Sequence, residues 1–194
     1  MLLSMAEERR HITDPKALRA LAHPLRWKLI EFIGREGTAT ATQCAEETGE
    51  SVANCSYHLN TLAKYKYVEA AEGGQGREKP WRLVAHSQSI SDIGLDKEAS
   101  LAAQAASHAF LDYAFTQIRE RSLTLHLEPE EWQEVVGVNN STDFMTPAEV
   151  EEIVETMTKL MNQYKVRRTD PSLRPEGARS VSLFLAASVV PEKH

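Results

Sequence analysis

Between Thr40 and Lys64 the chain assembles residue types suited to reading a nucleic-acid duplex. Cys55, Leu59 and Leu62 recur at i, i+4 and i+7, which gives a helix starting near Ser51 one apolar side. Ser51, Asn54, Ser56, Tyr57, Asn60, Thr61 and Lys64 fall on its remaining surface. Short amides and hydroxyls so placed can reach base edges in a major groove, and Asn can grip adenine through two hydrogen bonds. No Asp or Glu occurs in the 17 residues Ser51–Tyr67. A carboxylate there would face the phosphates and weaken binding. Asn54, Ser56, Tyr57 and Asn60 are the base-edge candidates. Ser51, Thr61 and Lys64 are candidates for the DNA backbone. Arg77, Lys79 and Arg82, in the segment that follows, add charge-assisted donors to phosphate.

These side chains need a frame. A short helix capped by Thr40 or Thr42 and stopped by Gly49 would brace the recognition helix through the tight turn Thr48-Gly49-Glu50. Ahead of it, Asp14-Pro15 is a helix start. His23-Pro24 interrupts that helix, and a second runs from about Pro24 to Ile33, with Leu25, Leu29, Phe32 and Ile33 at helical spacing and Gly34 as its stop. Tyr67–Ala71 and Trp81–Val84 read as two strands around a polar, glycine-rich hairpin loop, 72–80. His58 is expected as a packed imidazole and Trp81 as a core plug. Arg26 is expected to pair with an acid such as Glu31. The same pattern also fits a purely structural module, so a protein-interaction adaptor stays open beside DNA binding.

Leu18-Arg19-Ala20-Leu21-Ala22-His23-Pro24-Leu25-Arg26-Trp27-Lys28-Leu29-Ile30 resembles the opening of ArsR-type winged helix-turn-helix transcriptional regulators. Ser56-Tyr57-His58-Leu59-Asn60-Thr61-Leu62, followed by Tyr67-Val68, is similar to their recognition helix and its exit into the wing. The resemblance covers about residues 13–84. It implies a homodimeric repressor or activator on a near-palindromic operator, with 51–64 in the major groove and the wing on the backbone or minor groove. The metal-sensing members carry two cysteines in the first helix of the motif. Thr40 and Thr42 stand at those positions here. Cys44 and Cys55 fall instead on apolar positions, where buried thiols behave as small hydrophobes. No metal and no cofactor is expected.

Residues 85–96 are serine-rich and read as a linker, and 1–12 as a flexible terminus. Asp96 caps a long helix reaching about Arg121. Its broad apolar surface, Phe110, Leu111, Tyr113, Phe115 and Ile118, suits a dimer interface, since such dimers hold two recognition helices about one DNA turn apart. Leu123, Leu125 and Leu127 alternate with polar residues, which predicts a strand. Pro129 opens a short helix. Thr146-Pro147-Ala148-Glu149 is a capping box opening another, with Val150, Ile153, Val154, Met157, Leu160, Met161 and Tyr164 on one stripe. Val181–Val190 predicts a last strand. The fold class is therefore α+β: an N-terminal winged helix-turn-helix domain, a long connecting helix and a small C-terminal α+β domain over 97–194. Trp132, Phe144, Met145, Met157 and Met161 would line an apolar pocket for a small-molecule effector, or simply form core. An acidic surface recruiting a protein is the third reading of this half.

Composition sets the outer limits. The 194 residues are 42% hydrophobic and 26% charged, with two Cys, which excludes collagen-like and disulfide-scaffold classes. The net charge of -6 is uneven. Residues 1–84 hold 12 Lys+Arg against 11 Asp+Glu, and 85–194 hold 10 against 17. Two modules with different partners fit that split. No apolar run approaches the ~20 residues of a membrane helix, and no secretory h-region is present, so a cytoplasmic protein is expected. No nucleophile elbow or phosphate-binding glycine loop opening a helix is visible, which argues against an enzyme.

Overall fold

The computed structural model describes residues 10–73, 78–85, 88–89 and 94–191. It is a mixed helical structure with a small three-stranded antiparallel sheet, consistent with α+β. The chain divides into two compact units after Glu120.

The first unit opens with β1 (Arg10–His11) and α1 (Pro15–Leu21). Asp14 caps α1 by accepting from the Lys16 amide at 2.9 Å, with proline at the first turn. His23 caps α2 (Pro24–Glu36) through its Nδ1, which accepts from the Leu25 amide at 3.2 Å. Helix α2 runs through Gly34 instead of stopping there and ends at Gly37, whose φ of 81° suits glycine. Gly34 has a different task. A Cβ on it would lie 3.1 Å from Cδ1 of Leu83, so its bare backbone lets the sheet approach the helix.

Strand β2 (Thr38–Ala39) leads into α3 (Ala41–Thr48), which opens with a reciprocal capping box between Thr40 and Gln43. Gly49 ends α3 in the left-handed conformation, φ 73°. Ser51 caps α4 (Val52–Lys64) by accepting from the Asn54 amide at 3.1 Å. Strands β3 (Val68–Ala70) and β4 (Trp81–Leu83) pair antiparallel with Val68 opposite Leu83, and β2 adds on the far side of β4. The short strand β5 (Gln88–Ser89) pairs parallel with β1.

Leu18, Leu21, Leu29, Ile33, Leu59 and Leu62 are fully buried between these elements. Each contributes about 1.5–3 kcal/mol by leaving water. The buried Tyr67 ring keeps its hydroxyl satisfied by donating to the Ala17 carbonyl at 2.9 Å.

The helix α5 (Lys97–Thr124) starts at Asp96, which accepts from the Ala99 amide at 2.8 Å. Ala99, Ala102, Ala103 and Ala106 lie on one side and are buried, the last three in the core formed by residues 12–68. Small side chains let the helix lie close. Farther along, Phe110 packs against Trp27 with the rings tilted 51° and their centroids 4.7 Å apart, and the Tyr113 hydroxyl donates to the Glu31 carboxylate. The first part of α5 therefore belongs with the N-terminal module.

The second unit, taken by itself, contains the end of α5, a 3-10 turn at Leu125–Leu127, α6 (Glu130–Val135), α7 (Pro147–Asn162) and α8 (Val166–Thr169). Two strand expectations fail here. Leu123–Leu127 is helix end and 3-10 turn, because α5 continues three residues past Arg121. Val181–Val190 has no strand partner among the described residues. No described residue from 121 onward is buried. One internal tie is Arg179, whose guanidinium lies 2.6 Å from Glu128 and 5.3 Å over the Trp132 ring.

Candidate nucleic-acid interface

Helix α4 buries Cys55, His58, Leu59 and Leu62, so its opposite side faces outward. Tyr57 is 64% exposed, and Val52, Ala53, Asn60 and Lys64 are exposed beside it. Asn54, Ser56 and Thr61 are half-buried. The sequence-based base-edge set thus shares one accessible helix surface.

Its polar groups are held in place locally. Asn60 donates from Nδ2 to the Ser56 carbonyl at 2.8 Å, and the Thr61 hydroxyl donates to the Tyr57 carbonyl at 2.9 Å. Asn54 donates from Nδ2 to Glu50 at 2.9 Å. A side chain so engaged must rotate away from its helix or its acid before its amide can meet a base.

A shallow groove of about 280 Å³ runs along this surface. Thr42, Val52, Ser56, Asn60, Lys79 and Trp81 line it. It brings two base-edge candidates and one backbone candidate together. Trp81 is half-buried at the groove wall as well as against the core, so it is not a plain core plug. The hairpin that supplies Lys79 is closed at its base by the Ala71 amide donating to the Pro80 carbonyl at 2.8 Å. Arg77 lies outside the described residues. Arg82 points its charge at Glu69, 2.8 Å away on the neighbouring strand, and is held there as a cross-strand pair.

Two carboxylates enter from outside the acid-free window. Glu50 sits just ahead of the α4 cap. Glu78 accepts from the Thr42 hydroxyl at 2.7 Å and ties the hairpin to α3. The i, i+4 spacing of Glu50 and Asn54 was a readable signal for the first. Nothing local pointed to the second.

Behind the surface lies a cationic pillar. Arg26 is buried and donates from Nε to Nδ1 of His58 at 3.1 Å and from a terminal nitrogen to the Ala20 carbonyl at 2.6 Å. Its expected pairing with Glu31 does not occur; Glu31 accepts from Tyr113 instead. His58 is packed, as its spacing implied, and its ring lies 4.4 Å from that of His23. Burial and the nearby Arg26 hold both imidazoles below their ordinary pKa.

Cys44 and Cys55 are free and fully buried. Burial, with Cys55 and Glu47 nearby, pushes the Cys44 thiol up to about 12, which keeps it neutral. Among the described residues no three His, Cys, Asp or Glu side chains gather as a metal-binding group.

Of the dimer candidates, Phe110 and Tyr113 are half-buried by contacts within their own unit, while Phe115 is exposed and Leu111 and Ile118 are half-buried. The effector-pocket candidates do not converge on a buried site. Phe144 is fully exposed, Met145 and Met157 are exposed, and Trp132 and Met161 are half-buried. Among the described residues no helix is long and apolar enough to cross a membrane.

No family model matches the chain. A stretch of 63 residues is 41% identical to a probable mercury resistance operon repressor of Streptomyces lividans. That stretch is 32% of this chain, and it spans about half the length of the repressor.

Proposed function

We propose that the chain is a DNA-binding transcriptional regulator of the ArsR-like winged helix-turn-helix kind, acting in the cytoplasm as a homodimer. Helix α4 enters the major groove, α3 braces it across the backbone, and the wing 72–80 rests on the backbone or in the minor groove. Asn54, Ser56, Tyr57 and Asn60 read base edges. Ser51, Thr61, Lys64, Arg77 and Lys79 hold phosphates. Arg82 does so only after leaving Glu69. The exposed outer portion of α5 around Phe115 pairs two copies.

One observation carries this reading. Helix α4 presents a polar, carboxylate-free surface to solvent while its apolar side is locked into the core. Likeness to a repressor supports the regulator. The metal in that relative's name does not carry over, since both thiols here are buried and Cys44 is held neutral.

A titration of the full chain against random duplex at two salt concentrations tests it. Affinity that falls steeply with salt supports DNA binding. Salt-independent or absent binding favours an adaptor that keeps the shape and recruits protein. Glu50 and Glu78, which flank the surface, are what favour that second reading.

A further inference from the structure

Among the polar side chains that α4 turns to solvent stands a branched aliphatic one, Val52, 47% exposed. It opens the helix directly after the Ser51 cap. Val52, Ser56 and Asn60 recur every four residues, so they form one ridge of the helix, and all three line the same groove. The groove's other apolar residues, Ala41 and Trp81, are half-buried against the core. Val52 is the apolar member of the lining whose surface stays in water.

The rest of the groove names what covers it. The Ser56 hydroxyl, the Asn60 amide and the Lys79 ammonium surround Val52 with hydrogen-bonding and cationic groups, and Glu78, the acid in the lining, accepts from Thr42. An apolar protein surface laid here would leave those groups unpaired. A base edge with its phosphate pairs with them. On the major-groove edges of the four base pairs every group except one is a hydrogen-bond donor or acceptor, and the exception is the C5-methyl of thymine. In unmethylated DNA, thymine is therefore the base with an apolar group to set against Val52. The N-terminal residues of a recognition helix are those that meet base edges, and Val52 is the first residue of α4. Ser56 follows about 6 Å farther along the axis. The valine and the hydroxyl can thus touch neighbouring base pairs, which are spaced by about 3.4 Å.

We propose that Val52 is a specificity-determining residue that packs on the C5-methyl of a thymine, so that each half-site of the operator carries thymine at one fixed position. This inference rests on the DNA-binding reading of α4. It adds to the polar base-edge set a contact that no hydrogen bond supplies.

Removal of that single methyl tests it. A binding site is first selected by the full chain from a random duplex pool of unmethylated DNA. Each thymine of the site is then replaced in turn by deoxyuridine, which lacks the methyl and keeps the pairing and the O4 acceptor. At one position per half-site the swap should weaken binding about fourfold, the worth of one apolar carbon leaving water. Val52→Ser removes the methyls of the side chain at an exposed position and leaves the core intact. It should bind the thymine and deoxyuridine forms of that position alike. Two results overturn the proposal: no thymine whose replacement weakens binding, or a loss on replacement that Val52→Ser retains in full. Failure to bind any duplex appears at the selection step and sinks the regulator reading itself, whereas binding that is indifferent to the methyl sinks this inference alone.

Discussion

Arg26 on α2 donates its Nε proton to Nδ1 of His58 on α4, 3.1 Å away. The bond requires a lone pair on that nitrogen, so it exists only while Nδ1 is unprotonated. His23 stands against the same ring, and Glu50, Tyr57 and Tyr65 are the other titratable groups near the cluster.

Stability should therefore fall in mild acid. Both imidazoles have folded pKa values below their ordinary 6.5, so the unfolded chain binds more protons as pH drops. Their contribution is complete above about pH 6.5 and is lost as pH falls through the folded values. Urea midpoints should decline from pH 8 to pH 5. His58→Gln, which keeps an amide near Arg26, should flatten that slope; an unaltered slope would show that other groups set it.

Asn60→Ala should relax base preference at one position of each half-site, at a cost of about 1–3 kcal/mol. Selection from a random duplex pool reads this directly. Asn54→Ala should do the same at a different position, with a smaller loss, because its amide must first leave Glu50.

Lys79→Ala should weaken binding to all sequences and lower the salt slope by about one unit. Arg82→Ala should change the slope less, since Glu69 already neutralises it. Equal slopes for the two variants would mean that Arg82 leaves its pair in the complex.

Glu78→Gln should tighten binding to DNA severalfold by removing a carboxylate from the groove wall beside Lys79, while the Thr42 hydroxyl keeps an amide oxygen to donate to. Weakened binding, measured at low salt where the repulsion is largest, would count for Glu78 as a positioning group instead.

Ala106→Leu should destabilise the first unit by about 1–3 kcal/mol, because the residue is fully buried and the core has no room for three extra carbons. Thermal melting of the full chain gives the number. A neutral substitution would mean that α5 is loosely held.

The helix boundaries that depend on neighbours in sequence were readable: Asp14-Pro15, Ser51 and Gly49 act locally. Gly34 does not stop its helix as its type suggests, because the reason for glycine there is a leucine 49 positions away. Sequence proximity points Arg26 to an acid along its own helix, whereas the fold offers it an imidazole from α4. The alternation at Leu123–Leu127 looks like a strand over so short a window, yet a long helix can finish its last turn with the same residues. The outward surface of α4 was legible because amphipathicity is periodic. Glu50 lies just outside that period yet is legible from its i, i+4 spacing to Asn54, whereas Glu78 reaches the groove wall from the hairpin, a placement only the three-dimensional fold supplies.

The alanine seam of α5 sets where this protein can be cut. A fragment ending at residue 84 looks complete by its motif, but it uncovers the patch that Ala102, Ala103 and Ala106 seal. Trimmed there, the piece exposes greasy surface and is prone to clump. Truncation at Glu120 keeps the seal intact.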